Sequence, residues 1–376
     1  MDVVSLTEEL VAIPSHDDET AAGEFVAEWL RDHTDAAVSR DDHGNVVART
    51  GTGEQSLALV GHHDVVPPDD RQVDDTGEYR LTRRAGRLYG RGTADMKGSL
   101  AAAMLAFADA EPTAGELVFA SFAGEEQGGE GCRAAIEDGF STDYAVVVEG
   151  STGYSEPGVP ASEAGGGSPE RRSDGVTDVA VAHKGRRGST VVAEGTAAHA
   201  SEVDAGENAI YRATDAVDLI RGIEFPTTDV LGHELRGSVT VTEIEGGSAW
   251  NVVPERCEAT VDERTVPGER APLERVEALD GVSVRVDQDL PPMACGDAAF
   301  ADAVLDAAAG AQEGDPEHVV KPHATDAGWL AAAGTDCVVV GAAEPGEAHT
   351  ATESVSIAVL ERCRTIYDGV VDSWLD

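Results

Sequence analysis

Lysine is almost missing from this chain: Lys97, Lys184 and Lys321 are the only three, and arginine supplies the rest of the 27 basic residues. Against them stand 71 aspartates and glutamates, a formal net charge of −44 over 376 residues. A surface of that sign argues against nucleic acid and anionic membranes as partners. The acid is spread along the whole chain between ordinary apolar patterns, so it does not mark a disordered tail. Like charge at this density repels itself at low ionic strength. At molar salt the Debye length falls to about 3 Å and the repulsion is largely screened. The composition therefore reads as adaptation to the high-salt cytoplasm of a halophile.

Cysteine is scarce too. Cys132, Cys257, Cys295, Cys337 and Cys363 are odd in number and never form a Cys-x-x-Cys pair. That fits a reducing cytoplasm better than a disulfide framework, and Cys132 reads as a buried structural thiol. No run approaches the ~20 apolar residues of a membrane span. The segment Met1–Glu9 has neither a basic start nor a cleavage pattern, so no signal peptide is expected. The Gly-x-Ser-x-Gly elbow of many serine hydrolases does not occur.

What is there is a repeated pattern. Leu57–Val60 runs into Gly61-His62-His63-Asp64, and Leu117–Phe122 into Ala123-Gly124-Glu125-Glu126. Ala145–Val148 runs into Glu149, and Cys337–Val340 leads to the loop carrying His349. Short continuous apolar runs read as strands buried on both faces of a largely parallel sheet. Ligands of such sheets gather outside the carboxyl ends of the strands. Several strand-end loops bearing His or carboxylate therefore point to one metal centre.

Each signal taken alone has a bland reading. His62-x-Asp64 is compatible with a surface turn, or with a ligand whose ring is oriented by a carboxylate. His63 is expected to point the other way. Asp95, set in Gly90–Gly98 just before a helix, reads as an N-cap or as a carboxylate bridging two cations. Glu125-Glu126 reads as an exposed acidic turn, or as a metal ligand beside a proton-handling carboxylate. Together, His62, Asp95, Glu126, Glu149 and His349 form a His/carboxylate set without thiolates, suited to zinc, cobalt or manganese. Two divalent ions offset by three carboxylates and a hydroxide are what a two-metal hydrolase needs.

Helices are expected at Asp2–Val11, Thr20–Asp32 and Ser99–Asp109, within alternating strands and helices up to about residue 150. The polar stretch Tyr154–Asp178, with Gly165-Gly166-Gly167, reads as a long loop near a domain boundary. Strands and a helix over about 110 residues then suggest a small α+β domain inserted into the first. The boundaries so drawn are 1–178 with 290–376, and 179–289.

These motifs resemble the co-catalytic zinc metallopeptidase family that includes acetylornithine deacetylase, succinyl-diaminopimelate desuccinylase, aminoacylase and glutamate carboxypeptidase. The carrying residues are Gly61–Pro67, Gly90-Arg91-Gly92 through Asp95-Met96-Lys97-Gly98, Glu125-Glu126 with Gly128-Gly129, Glu149, and Ala348-His349-Thr350 with Glu353. Gly195–Ser201 and Asn251–Pro254 leading to Asp262-Glu263-Arg264 match in the inserted segment, so the likeness covers nearly the whole chain. It implies an α/β, doubly wound, mostly parallel catalytic domain with a ferredoxin-like dimerisation domain. It also implies that His62 and Glu149 bind one zinc, Glu126 and His349 the other, and that Asp95 bridges. Glu125 would be the general base, Asp64 the orienter of His62, and His199 an oxyanion stabiliser reaching a partner subunit of a homodimer. Asn251 and Arg264 would hold the carboxylate of a small N-acyl amino acid or short peptide.

There are departures. The 154–178 stretch is longer than the usual link, and Glu149 is followed by Gly150-Ser151-Thr152 where many members have Pro-Thr. The desuccinylase branch usually has an Arg in the segment matching Thr325–Trp329, and here there is none. The expected activity is therefore acetylornithine deacetylase-like, with desuccinylase or carboxypeptidase/dipeptidase as the alternative. A non-catalytic relative would be expected to lack a ligand or the base, whereas all matched positions are filled.

Overall fold

A computed structural model describes residues 1–155 and 174–375. Of the polar Tyr154–Asp178 stretch, residues 156–173 lie outside the described residues. The chain divides into two compact units: Met1–Ala182 with Ala294–Lys321 and Thr325–Asp376, and His183–Met293 with Pro322–Ala324.

The first unit is built on a nine-stranded mixed sheet. Its centre is four parallel strands in the order Glu116–Phe122, Ser56–His62, Tyr144–Val147 and Asp336–Val339. Antiparallel strands flank them: Val46–Gly51 and Ala37–Arg40 on one side, Val179–His183 on the other. Successive residues Leu57, Ala58, Leu59 and Val60 are all fully buried. Since neighbouring side chains in a strand point to opposite faces, both faces of the sheet are covered. Burying each such leucine or valine contributes about 1.5–3 kcal/mol, which is why apolar runs without alternation become central strands.

The order of connection makes the crevice. From Ser56–His62 the chain moves to one neighbour, Glu116–Phe122, then crosses back to the other, Tyr144–Val147. That reversal opens a gap at the carboxyl end of the Ser56–His62 strand, where His62 stands. The Ala-rich helix Gly98–Asp109 packs against this strand and between the first helix, Val3–Val11, and the last, Ile357–Leu375. Gly61 is required here: a Cβ would sit 2.8 Å from the Met96 methyl and 3.0 Å from Leu100 Cδ1.

The second unit holds a four-stranded antiparallel sheet, in the order Ser238–Gly246, Arg256–Thr265, Gly185–Glu194, Val282–Leu290. Counted along the chain that is 2-3-1-4, the ferredoxin-like arrangement, with helix Ala209–Arg221 after its first strand. The second helix is reduced to a 3-10 turn at Leu273–Ala278, and a Thr227–Val230/His233–Arg236 hairpin is inserted. The helix buries Ala209, Ala213, Ala216 and Ile220, a spacing of three and four that puts one face on the sheet. Asn208 caps its start, accepting from the Ile210 and Tyr211 N–H groups.

The sequence puts the inserted segment at 179–289, and the structural division falls a few residues later at both ends. Val179–Ala182 is fully buried in a strand of the central sheet, and Val282–Leu290 stays paired to Gly185–Glu194 as far as Leu290 opposite Arg186.

Candidate metal centre

Four strand-end loops and one turn bring the candidate ligands of the first unit together. His62 ends its strand at 1% side-chain exposure. Its Nδ1 lies 3.0 Å from the Asp64 carbonyl, which accepts only, so Nδ1 keeps the proton and Nε2 faces the crevice. The Asp64 carboxylate, 3.3 Å from the same Nδ1, also accepts the N–H groups of Glu125 at 3.2 Å and Glu126 at 3.0 Å. One aspartate thus ties the histidine to the two-glutamate loop. That loop turns tightly on Gly124, Gly128 and Gly129, all at positive φ.

Asp95 sits in the Thr93–Lys97 turn with non-helical φ −130° and ψ 97°, and its peptide with Met96 is cis. It does not cap the following helix; Lys97 holds the N-cap position. His62 Nε2 is 3.4 Å from Asp95 Oδ1 and 3.3 Å from Glu149 Oε1. His349 Nε2 is 3.0 Å from Asp95 Oδ2 and 3.0 Å from Glu126 Oε1. The two oxygens of Asp95 therefore face different histidines. Glu125 Oε2 stands back, 4.0 Å from His62 Nε2.

These separations suit a cation. In a tetrahedral zinc site with bonds of roughly 2.0–2.1 Å, neighbouring ligand atoms lie about 3.3 Å apart. The four His–carboxylate pairs fall near that edge length, and Glu125 falls outside it. His62 Nε2 and Asp95 Oδ1 are buried and without a hydrogen-bond partner. A cation between them satisfies both, where otherwise each desolvated atom is a cost. Donor atoms of His62, Asp95 and Glu126, and of His62, Glu125 and Glu149, lie within 4.8 Å of one another.

The charges show the same need. Burial, then the neighbouring Asp326, Glu149 and Glu126 carboxylates, lift the Glu125 carboxyl well above its usual range, against the pull of His62. Burial also raises Glu126. Burial disfavours the charged His62 ring, but Asp64, Asp95 and Glu149 outweigh it and raise His62 well above the ordinary histidine value. Hydrogen bonds to Asp95 and Glu126 push His349 up to about 11. The carboxylates and imidazoles thus shift one another strongly, as expected where many acids are buried around two rings.

One buried acid escaped the sequence reading. Asp326 stands at the start of the Ala327–Ala332 helix, yet its side chain makes no cap hydrogen bond. Both carboxylate oxygens are buried without a hydrogen-bond partner, and burial raises the group to about 7. A Cβ on Gly129 would meet Asp326 Oδ1 at 2.7 Å, so that glycine lets the glutamate loop lie against the carboxylate. His63 does turn away: it is buried, with Nδ1 2.8 Å from the Ser121 hydroxyl.

His199, Asn251 and Arg264 belong to the second unit. His199 is exposed with Nδ1 2.7 Å from the Ser201 hydroxyl, and the Ala200 N–H donates to the Asn251 carbonyl at 2.9 Å. The two segments pair as a short antiparallel ladder, His199 opposite Val252. Arg264 is part-buried and its Nε donates to Asp262 at 2.8 Å.

Comparison with known proteins decides the family. Residues 58–373 match the family described as Peptidase family M20/M25/M40. The chain belongs to it. An acetylornithine deacetylase from Myxococcus xanthus is 30% identical over 364 residues, 92% of this chain and 87% of the relative. A succinyl-diaminopimelate desuccinylase from Xanthomonas oryzae is 29% identical over 387 residues, covering 95% and 91%. Among solved structures, the aminopeptidase PepT of Bacillus cereus superposes with a TM-score of 0.75 at 18% identity, over 98% and 97% of the two chains. As an M20/M25/M40 member the chain is a metal-dependent amide hydrolase. Among the described residues, no helix is long and apolar enough to cross a membrane.

Proposed function

We propose that this chain is a cytoplasmic two-metal amidohydrolase that removes the acyl group from an N-acyl amino acid, as acetylornithine deacetylase does. The observation that carries the two-metal reading is Asp95, with Oδ1 toward His62 and Oδ2 toward His349. His62 and Glu149 would hold one ion, Glu126 and His349 the other, with Asp95 between. The His/carboxylate set fits zinc first, cobalt or manganese next. When bound, such a pair supplies Lewis acidity that acidifies water and polarises the amide carbonyl.

The chain's own residues do the rest. Glu125, set back from the ligands, takes a proton from the attacking water and delivers it to the leaving amine nitrogen. Its raised proton affinity suits that relay. Asp64 fixes the His62 ring and the glutamate loop together. His199 stabilises the oxyanion from a partner subunit, and Asn251 and Arg264 grip the substrate carboxylate. A homodimer through the second unit is supported by its free edge strand Ser238–Gly246 and by Tyr211, Ile244 and Trp250, which are 69%, 51% and 96% exposed. Light scattering in molar salt tests it, and a monomer would remove His199 from the mechanism.

The missing arginine in Thr325–Trp329 and the Myxococcus relative favour acetyl over succinyl substrates. The Xanthomonas relative keeps desuccinylation as the second reading. A panel of N-acetyl, N-succinyl and peptide substrates, assayed with added zinc or cobalt at high salt, decides. Turnover of N-acetylornithine at a higher kcat/KM than any succinyl or peptide substrate is expected, and the reverse order would refute the assignment.

A further inference from the structure

His349 has little of its own to hold it. Its side chain is 50% exposed and its backbone φ is 61°, a left-handed conformation that a non-glycine residue adopts only when its surroundings impose it. Those surroundings are two buried glutamates, one on each side in sequence. Glu347 pairs with the Arg87 guanidinium, and its other oxygen accepts the Glu344 N–H at 2.9 Å. Arg87 in turn donates to the Ser354 hydroxyl at 3.1 Å and the Ser354 carbonyl at 3.2 Å. Glu353 pairs with Arg91, while its second oxygen accepts the N–H groups of Ala94 at 3.0 Å and Asp95 at 3.2 Å. Arg91 also donates to the Pro67 carbonyl at 3.2 Å.

Both arginines come from the five residues Arg87–Arg91 that lead into the Asp95 turn. Between the two pairs, strand Arg87–Tyr89 runs antiparallel to Ser354–Ser356. The His349 loop and the Asp95 turn are thus zipped together by a short ladder with an ion pair at each end. Buried ion pairs are poor stabilisers, because desolvation consumes most of their attraction, and apolar pairs of similar volume often serve the fold equally well. What such a pair does supply is a fixed distance between two backbones.

We propose that these pairs are positioning residues of the metal centre with different reach, resting on the two-metal reading above. Glu347 holds the His349 loop alone. Glu353 holds that loop and, through the Ala94 and Asp95 amides, the bridging carboxylate as well. Loosening Glu347 should therefore impair one ion, and loosening Glu353 both.

The test is metal titration of the full-length chain with zinc, by calorimetry against a competing chelator at high salt, alongside melting of the metal-free forms. Wild type takes up two equivalents. Glu347→Gln is expected to bind one equivalent about 10–100-fold more weakly and the other unchanged, the usual scale for groups that orient ligands. Glu353→Gln should weaken both. If an orphaned arginine prevents folding, Arg87→Met/Glu347→Leu and Arg91→Met/Glu353→Leu remove both charges and should show the same split. Unchanged affinities in folded variants overturn the positioning role alone. So does a Glu347 variant that weakens both ions equally in step with its melting temperature. A wild type that takes up one equivalent overturns the two-metal reading itself, and this proposal with it.

Discussion

The two histidines of the centre are held in opposite ways. His62 ends a strand paired on both sides, is 1% exposed, and is gripped by the residue two positions on. His349 is 50% exposed, lies in a loop, and takes a left-handed conformation. The sheet places the first and local side-chain anchoring places the second. A parallel sheet supplies rigid strand ends, but the second Asp95 oxygen faces away from His62, and the His349 loop arches over to meet it. One wall of the site is therefore inherited from the core, while the other is assembled from polar contacts.

The largest effect should come from emptying the space between the histidines. A chelator is expected to abolish amide hydrolysis, with recovery on adding zinc or cobalt; activity persisting without metal would contradict the family's chemistry in this chain. In the metal-free protein, amide hydrogen exchange should be fast across the His349 loop and remain slow in Ser56–His62, so equal protection of both would break the contrast drawn above. Glu125→Ala comes next. Losing the proton carrier should lower kcat by about 10²–10⁴ while metal content stays normal. Retained turnover would remove Glu125 from its role. Asp64→Asn is milder, because it loosens only the wall inherited from the core. Metal affinity should fall about 10–100-fold, measured by chelator competition, and wild-type affinity would show that His62 needs no orienter.

The same contrast explains how much was legible in the sequence. The four apolar runs became the four parallel central strands, because strands buried on both faces must be apolar at every position. Strand ends then pointed to His62, Glu125, Glu126 and Glu149, and the family resemblance supplied the pairing of His349 with Asp95. Less legible was whatever depends on contacts distant in sequence. Arg87 and Glu347 look like surface charge in so acidic a chain, and Arg91 and Glu353, though part of the family motifs, carry no sign of their pairing, since the partner of each lies about 260 residues away. Asp326 stands at a helix start, and nothing local in the sequence shows that the fold buries its carboxylate. The flanking strands Ala37–Arg40, at the sheet edge, and Val46–Gly51 beside it were not singled out, because polar residues such as Ser39, Arg40, Arg49 and Thr50 blur their pattern.

The most local effect is a pH dependence, and it probes how dry the His62 wall is. His63 lies directly behind His62, fully buried against Ser121, and burial pushes its ring down to about 3 from the usual histidine value. A folded value below the unfolded one, near 6.5, means the unfolded chain binds a proton that the native ring refuses between those limits. Stability should then fall as pH drops from about 6.5 toward 3, by up to about 1.4 kcal/mol per pH unit from this one group. Buried carboxyls such as Asp326 respond in the opposite sense, so the bare slope is a sum. The difference between wild type and His63→Gln, both metal-free and in molar salt, isolates the histidine, because glutamine can still bond Ser121 and does not titrate. Denaturant unfolding at pH 6, 5 and 4 should show the wild type losing stability faster than the variant. Parallel curves would mean that water reaches His63 and that the wall behind His62 is as wet as the loop that carries His349.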